Sequence, residues 1–272
     1  MQLSHEDTSL FFKLMPALQT FANQQLRIVD GLRDIRDYRT ISDQERIELR
    51  NAIYDENPKV IEDFVRENPF LFSQEELETV SGWINYVNDS FFIAQLTKKH
   101  AIFVQDEDVF AVLALAQPLQ DILRGAPIPV YVKTVLLPFK GQIIYDGLLE
   151  GHSIFFGPGI STSIKNRVRI AKQRGEIIES LDPDWKPAPA KPMKMKDWKP
   201  LLNELNEKAS KLRSSSNEPL IYGPAFSLAK ASLAFAREAI EFPEDLEKLD
   251  KALHKVMLAS NKVEKSMYHL DW

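Results

Sequence analysis

The stretch VYVKTVLLPFKGQIIYDGLL, residues 130–149, alternates apolar runs with turn residues, a pattern typical of β-strands. Lys140-Gly141 separates two apolar runs by the short gap of a hairpin, and Asp146-Gly147 predicts a second turn. Four further short runs, FFIAQLT, HAIFV, VFAVLAL and HSIFF, lie around it between residues 91 and 156. Because the intervals between runs are short, antiparallel pairing is favoured. We expect a strongly curved sheet of five or six antiparallel strands, followed by one helix.

The preceding region, residues 1–89, has the pattern of helices. Apolar residues recur at helical spacing at Phe11, Leu14, Leu18 and Phe21. Ser42 with Glu45, and Ser73 with Glu76, match capping boxes, in which a serine side chain and a glutamate satisfy free backbone N–H groups at a helix start. The sequence therefore predicts an N-terminal helical region ahead of a β domain over residues 90–181.

The region after the β domain begins with a linker, residues 182–200, that contains five prolines and the tetrapeptide DWKP twice. Each tryptophan of the repeat is expected to anchor one end of this extended segment to a domain. The remaining residues, 201–272, predict an antiparallel helical hairpin of residues 225–240 and 246–267. The second helix has a heptad-like seam at Leu246, Leu249, Leu253, Val256, Ser260, Val263 and Met267. The predicted fold class is therefore α+β.

The composition limits the classes of function. The 272 residues are 44% apolar and 27% charged, which are ordinary values for a globular protein. The chain has no cysteine, which excludes disulfides, thiolate metal sites and a cysteine nucleophile and is consistent with a reducing compartment. The apolar runs are shorter than a membrane span, and the first residues lack the pattern of a signal peptide. We expect a cytoplasmic protein that needs no metal and no cofactor and does not bind a membrane.

The turn region after residue 136 contains weak candidates for catalysis. Lys140, Asp146 and His152 are groups that can transfer protons, and an enzyme with a site over residues 136–161 would use them as acid–base groups. No pattern places them on one face of a helix or strand. Ordinary turn chemistry explains the same residues and is the favoured interpretation.

The segment FFGPGIST, residues 155–162, has the parts of an anion-binding turn. Gly157 and Gly159 precede the predicted helix, and Ser161 or Thr162 lies at its start. Free N–H groups at a helix start attract anions, although a third glycine and a βαβ unit are missing. Helix capping by the hydroxyl groups is the favoured interpretation.

The helix that follows carries five basic residues without an intervening acidic one: Lys165, Arg167, Arg169, Lys172 and Arg174. Such a face could contact nucleic-acid phosphates. No aromatic residues alternate with the basic ones, and residues 1–90 contain nine basic against 17 acidic residues, a net charge of −8 that repels a polyanion. A solvated face, or one that docks on acidic residues, is favoured over nucleic-acid binding.

The run VKTVLLPFKGQIIYDGLL and the earlier segment ERIELRNAIYDENPKVIEDFVRENP resemble a family of uncharacterised bacterial proteins, over about residues 40–180. Some members carry a cysteine-containing metal-binding tail, which this chain lacks. The resemblance implies a bacterial source and no particular activity. Because the chain shows no complete catalytic motif, the leading hypothesis is a non-enzymatic interaction or regulatory module that binds a protein partner or itself. The alternatives are an enzyme at residues 136–161 and nucleic-acid binding through the basic helix.

Overall fold

The computed structural model describes residues 2–123, 125–151, 158–187 and 196–268. The chain divides into two compact units, an N-terminal unit of Met1–Pro192 and a C-terminal unit of Met193–Trp272. The predicted α+β class is confirmed: helices precede and follow a curved sheet, and the C-terminal unit is helical.

The N-terminal region folds into helices α1 (His5–Leu26), α2 (Asp43–Asn51), α3 (Lys59–Glu67) and α4 (Gln74–Gly82). Both predicted capping boxes form, with Ser42 at the start of α2 and Ser73 at the start of α4. The last turn of α2 continues directly into a π-helical turn, Ala52–Glu56. Such turns are rare and occur frequently at functional sites.

The β domain contains six strands: β1 (Val87–Leu96), β2 (Ala101–Gln105), β3 (Asp108–Leu113), β4 (Val130–Phe139), β5 (Gln142–Tyr145) and β6 (Glu150–Gly151). A short helix, α5 (Leu119–Ile122), lies between β3 and β4. The first half of β1 pairs with β4 and its second half with β2, so that the order β1-β2-β3-β5-β4-β1 forms a closed ring. The strand β6 pairs with β4 beyond the end of β5.

One ladder differs from the expected pairing. The strands β3 and β5 run parallel, with Val112 opposite Ile143, whereas all the other ladders between these strands are antiparallel, as expected. The connection between β3 and β5 contains both α5 and β4, which is long enough to return the chain in the same direction. The resulting five-stranded Greek-key barrel, with a helix between its third and fourth strands, has the connectivity of an OB fold.

A single core joins the barrel to the N-terminal helices. Phe91, Phe103 and Phe110 meet inside the barrel, with ring centroids 5.9 Å apart in the Phe91–Phe103 and Phe91–Phe110 pairs. Phe11 of α1 contacts both Phe139 of β4 and the buried Trp83, which extends this core into the helices. The four apolar residues of α1 that the sequence pattern identified are all buried.

Helix α6 (Pro158–Arg174) covers the outer face of the first three strands. Ile164, Val168 and Ala171 pack on residues that alternate with the core positions of those strands: Ala94 of β1, Ile102 and Val104 of β2, and Val109 of β3. This face of β2 and β3 is the one through which OB folds bind oligonucleotides. In this chain, apolar packing against α6 occupies it.

The C-terminal unit contains three helices over residues 196–268: α7 (Lys199–Ser210), α8 (Tyr222–Glu241) and α9 (Leu246–Tyr268). The hairpin predicted there corresponds to α8 and α9, and α7 is an additional helix that packs on α8. Within these residues α7 and α9 have no extensive contact with each other, so α8 is flanked on two sides only. Trp198, which the sequence assigns an anchoring role, is 44% exposed and precedes α7.

The predicted seam of α9 divides between two faces. Leu249, Val256 and Val263 are half-buried, and Ala252 and Ala259 are buried next to them. Leu246, Leu253, Ser260 and Met267 are exposed. The seam is therefore rotated toward the alanines, because small side chains allow α8 and α9 to approach closely. This rotation leaves a second apolar stripe uncovered.

Candidate functional site

A cluster of polar side chains is buried where α2, β6 and the turn after β5 meet. It consists of Tyr38, Arg50, Tyr54, Asp146 and Glu150, which we call the polar cluster. The side chains of Arg50 and Asp146 are completely inaccessible to solvent. Buried ionised groups need partners, because the loss of hydration costs several kcal/mol per ion. The contacts of each group therefore show how its charge is compensated.

Arg50 lies between two carboxylates. Its Nη2 donates to the Glu150 carboxylate and, at 3.0 Å, to Oδ1 of Asn51. Its Nε is 4.0 Å from Oδ2 of Asp146, an ion pair without a hydrogen bond. Because Asp146 and Glu150 share one arginine, the three charges sum to −1 when all are ionised.

Asp146 is held rigidly through one of its oxygens. Oδ1 accepts from the backbone N–H of Leu148 at 3.2 Å and lies 3.0 Å from Oγ1 of Thr134. The Thr134 hydroxyl also donates to the carbonyl of Leu148 at 2.8 Å, and its single hydrogen cannot satisfy both oxygens. The Asp146 backbone N–H donates to the carbonyl of Val135 at 2.9 Å, which continues the ladder with β4.

Several polar atoms of this region are buried without a hydrogen-bond partner among the described residues. They are Oδ2 of Asp146, Nη1 of Arg50, the hydroxyl of Tyr54 and Nε of Arg46. Buried polar groups are satisfied in the great majority of native structures. Two of these four atoms belong to Arg50 and Asp146, whose side chains are completely inaccessible.

The electrostatics of the polar cluster follow from its burial. Burial raises the pKa of the Asp146 carboxyl to about 6, and the Arg50 guanidinium offsets only part of that increase. Burial also raises the pKa of Tyr38 to about 12 and that of Tyr54 well above its usual range, so both phenols stay protonated at neutral pH. Perturbed ionisable groups beside a cavity are typical of functional sites.

A cavity of about 280 Å³ opens beside Asp146. It is lined by Phe11, Phe12, Met15, Pro16, Tyr38, Arg39, Arg46, Asp146, Gly147 and Leu148. The segment after α1 is held by the buried Asn23, which accepts from two backbone N–H groups and donates to two carbonyls of residues 28–32. The Tyr38 hydroxyl donates to Oε1 of Gln19 at 2.7 Å. This bond ties the Tyr38 side of the cavity to α1.

The proposed acid–base trio is brought together only in part. Lys140 is in the β4–β5 turn, where its Nζ pairs with Oδ1 of Asp7 at 2.7 Å, and that bond raises the pKa of the lysine. Lys140 does not line the cavity beside Asp146. His152 lies outside the described residues. Asp146 is the member that the structure places in a pocket.

The candidates for anion binding lie within α6 or outside the described residues. Gly159, Ser161 and Thr162 are helical, because α6 already begins at Pro158, ahead of the expected start. Gly157 is not among the residues that the structure describes. The expected arrangement, with Gly159 before the helix and a hydroxyl at its start, is replaced by a helix that includes all three residues.

The basic residues of α6 divide between internal pairs and solvent. Arg167 pairs with Glu107 and donates to its carbonyl, and Arg174 lies 3.9 Å from Glu176. Lys172 donates to Oε1 of Gln95 at 2.5 Å. Lys165 and Arg169 are exposed and form no ion pair within the described residues. The internal pairs satisfy three of the five basic side chains without a nucleic acid.

Sequence reasoning missed Arg50, Tyr54 and Tyr38. A signal was present in LRNAIY, residues 49–54, where Arg50 lies beside Leu49, Ile53 and Tyr54 on the apolar side of a helix. A charged residue at such a position predicts a buried partner. The identity of that partner, 96 residues later in the chain, was not readable from spacing.

No family of known proteins, no curated protein and no solved structure matches the chain. Among the described residues, no group of histidines and carboxylates could hold a metal ion. In the same residues, no helix is both long and apolar enough to span a membrane.

Proposed function

We propose that the chain is a non-enzymatic interaction module of a bacterial cytoplasm, whose C-terminal unit binds a second copy of the same chain. The observation that carries this proposal is the exposure of apolar residues on α7–α9. Among residues 196–268, only Ala209, Ala252 and Ala259 are buried apolar residues. Stable domains bury apolar faces between packed layers, and one layer of helices does not supply a second surface.

Helix α8 shows most clearly that the apolar residues of the C-terminal unit lack a covering layer. Its sequence, YGPAFSLAKASLAFAREAIE, places apolar residues on every side, a composition typical of a helix surrounded by protein. No residue of α8 is buried, although it is the central helix of the three. Covering its two free faces requires another layer.

The exposed apolar residues of the C-terminal unit extend over all three helices and their connections. They are Trp198, Leu201, Leu205, Leu212, Leu220, Tyr222, Phe242, Leu246, Leu253, Met257, Leu258, Met267 and Tyr268. Soluble proteins seldom expose large apolar side chains in such number without a partner. On α9, Leu246, Leu253 and Met267 recur in steps of seven or fourteen, the period of a helix–helix interface.

A second copy is the occupant that fits the charges. Residues 193–272 contain 13 basic and 12 acidic residues, so two C-terminal units approach each other with a net charge of only +1 each. Strong net charge of one sign would instead favour a partner of the opposite sign. A twofold pairing buries the same apolar surface on both copies and leaves no open face for further growth.

The test measures the mass of the full-length chain in solution by light scattering after gel filtration. At about 100 µM, well above the Kd of a standard-sized interface, we expect twice the chain mass of 31.2 kDa. Leu253→Glu and Met257→Glu should each shift the protein to a monomer, because they place a charge in the apolar contact. Lys255→Glu is the matched control, since this exposed residue lies on the opposite side of α9.

Circular dichroism of each variant checks that the helices are retained. A wild-type monomer at that concentration would refute the second copy as partner, and would leave a different protein or an intramolecular surface as the occupant. Equal dimerisation of the Leu253, Met257 and Lys255 variants would also refute it.

A further inference from the structure

Helix α9 carries charges of opposite sign in its two halves. Residues 241–250, which include the start of the helix, contain five acidic residues and one lysine, a net charge of −4. Residues 251–268 contain four lysines and one glutamate, a net charge of +3. The macrodipole of a helix favours this order only within the first and last turns, and Asp250, Lys255 and Lys262 lie outside them.

The exposed stripe of α9, formed by Leu246, Leu253, Met257 and Met267, extends over both charged halves. Leu246 lies in the acidic half, Met267 in the basic half, and Met257 close to the middle of the helix. Leu246, Leu253 and Met257 lie within about 20° of one line along α9, because 7 and 11 residues are close to two and three full turns. An apolar contact along this line therefore also brings the charged halves of two helices together.

The charges beside the exposed stripe distinguish the two directions in which a second α9 can approach. Glu247 and Lys265 are both exposed and are 18 residues apart, which is about five full turns, so they lie on the same flank of the stripe. A twofold axis perpendicular to two antiparallel helices places equal flanks opposite each other. Glu247 of one copy then faces Lys265 of the second copy. A parallel pair would instead bring the two acidic halves together and the two basic halves together.

We propose that two copies of the chain pair with their α9 helices antiparallel, with Glu247 of each copy opposite Lys265 of the other. This inference rests on the proposed association of the C-terminal units and adds its direction and register. Complementary charges across an interface fix its register, and like charges placed opposite each other select against the wrong arrangement. The twofold axis then crosses α9 near residue 256, midway between Glu247 and Lys265, so that Met257 lies beside Met257 of the second copy.

Disulfide trapping in the full-length chain tests the direction. The chain has no cysteine, so one introduced cysteine can form a disulfide only between two copies. The Cα atoms of a disulfide lie within about 7 Å of each other. Met257→Cys should therefore give a covalent dimer under mild oxidation. Leu246→Cys alone and Met267→Cys alone should give none, because each cysteine is about 30 Å from its counterpart, whereas a mixture of these two variants should give a covalent dimer.

Non-reducing gel electrophoresis detects the covalent dimers, and light scattering of the reduced variants checks that each still associates. A covalent dimer from Leu246→Cys alone would overturn the antiparallel direction and leave the second copy as the partner. The absence of a covalent dimer from the mixture, when the reduced variants are dimers, would also overturn it. A monomeric wild type would overturn this inference together with the proposed function.

Charge reversal tests the register. Glu247→Lys and Lys265→Glu each replace two attractive contacts of the dimer by repulsive ones, and each should raise the Kd about tenfold at low salt. The double variant should return to within about threefold of the wild-type Kd, because it restores opposite charges across the interface. Lys255→Glu, on the opposite side of α9, is the matched control and should leave the Kd unchanged. Analytical ultracentrifugation measures the Kd, and a double variant that dimerises no better than the single variants would contradict the pairing.

Discussion

Asp146 combines three features that seldom occur together in one carboxylate: complete burial, a shared arginine and one oxygen without a donor. Burial and the missing donor raise the free energy of the ionised form, and the arginine that Asp146 shares with Glu150 offsets only part of that cost. At the scale of the single residue, the molecule therefore tolerates a group that is costly to ionise, beside a cavity.

This cost predicts a dependence of stability on pH. The pKa of Asp146 is about 6 in the folded chain, against about 3.9 in an unfolded chain, so protonation stabilises the folded state. The contribution is complete below pH 3.9 and is lost as the pH rises through 6, with a total of about 3 kcal/mol for two pKa units. Relative to Asp146→Asn, wild type should therefore lose about 2 kcal/mol of unfolding free energy between pH 4 and pH 7.

Urea unfolding followed by tryptophan fluorescence at a series of pH values measures this difference. Asp108→Asn, which changes an exposed carboxylate of β3, serves as the control and should parallel wild type within about 0.5 kcal/mol. A difference between wild type and Asp146→Asn that does not change with pH would show that Asp146 is charged throughout, in conflict with its burial.

At the scale of the element, α6 has two faces with different roles. Ile164, Val168 and Ala171 face the barrel, and the basic residues face solvent or pair with nearby acidic and polar groups. The packing of α6 on the barrel therefore does not depend on what its outer face contacts. This arrangement separates the stability of α6 from its charge.

Ile164→Ala should lower the free energy of unfolding by about 2–4 kcal/mol, because it leaves a cavity between α6 and the barrel. Lys165→Ala, one residue away on the exposed face, should change it by less than about 0.5 kcal/mol. Equilibrium denaturation of both variants compares them directly. Similar effects of the two substitutions would contradict the packing of α6 on the strands.

At the scale of the whole molecule, the two units differ in how completely they bury their apolar residues. The N-terminal unit has a continuous core from α1 through the barrel, whereas the C-terminal unit buries three alanines among residues 196–268. If a second copy covers the apolar residues of the C-terminal unit, the association itself stabilises the folded state of that unit.

Association of this kind makes thermal stability depend on concentration. For a dimeric C-terminal unit, a tenfold increase in chain concentration should raise the Tm of the α7–α9 transition by about 4 °C. Calorimetry of the full-length chain at two concentrations measures the shift, and Leu253→Glu should abolish it. A transition that stays at one temperature over a hundredfold range would show that the unit folds without a second copy.

Local physical chemistry made much of this protein readable from its sequence. Ser42 and Ser73 start helices because a cap and its glutamate are three residues apart, and Phe11, Leu14, Leu18 and Phe21 are buried because they share one helical face. The turn residues Lys140-Gly141 and Asp146-Gly147 likewise predicted the strand limits, because a turn depends on residues that are adjacent in the sequence. Each of these features depends on neighbours within a few positions.

Only the tertiary structure decided which distant groups meet. The parallel ladder of β3 and β5, the closure of β1 on β4, and the approach of Arg50 to Asp146 join residues that lie some 30 to 100 positions apart. Such contacts depend on how the whole chain closes, and no local period encodes them. Helix α9 is a further example. Its sequence contains two apolar stripes and does not show which of them faces α8. The close packing of Ala252 and Ala259 determines that side.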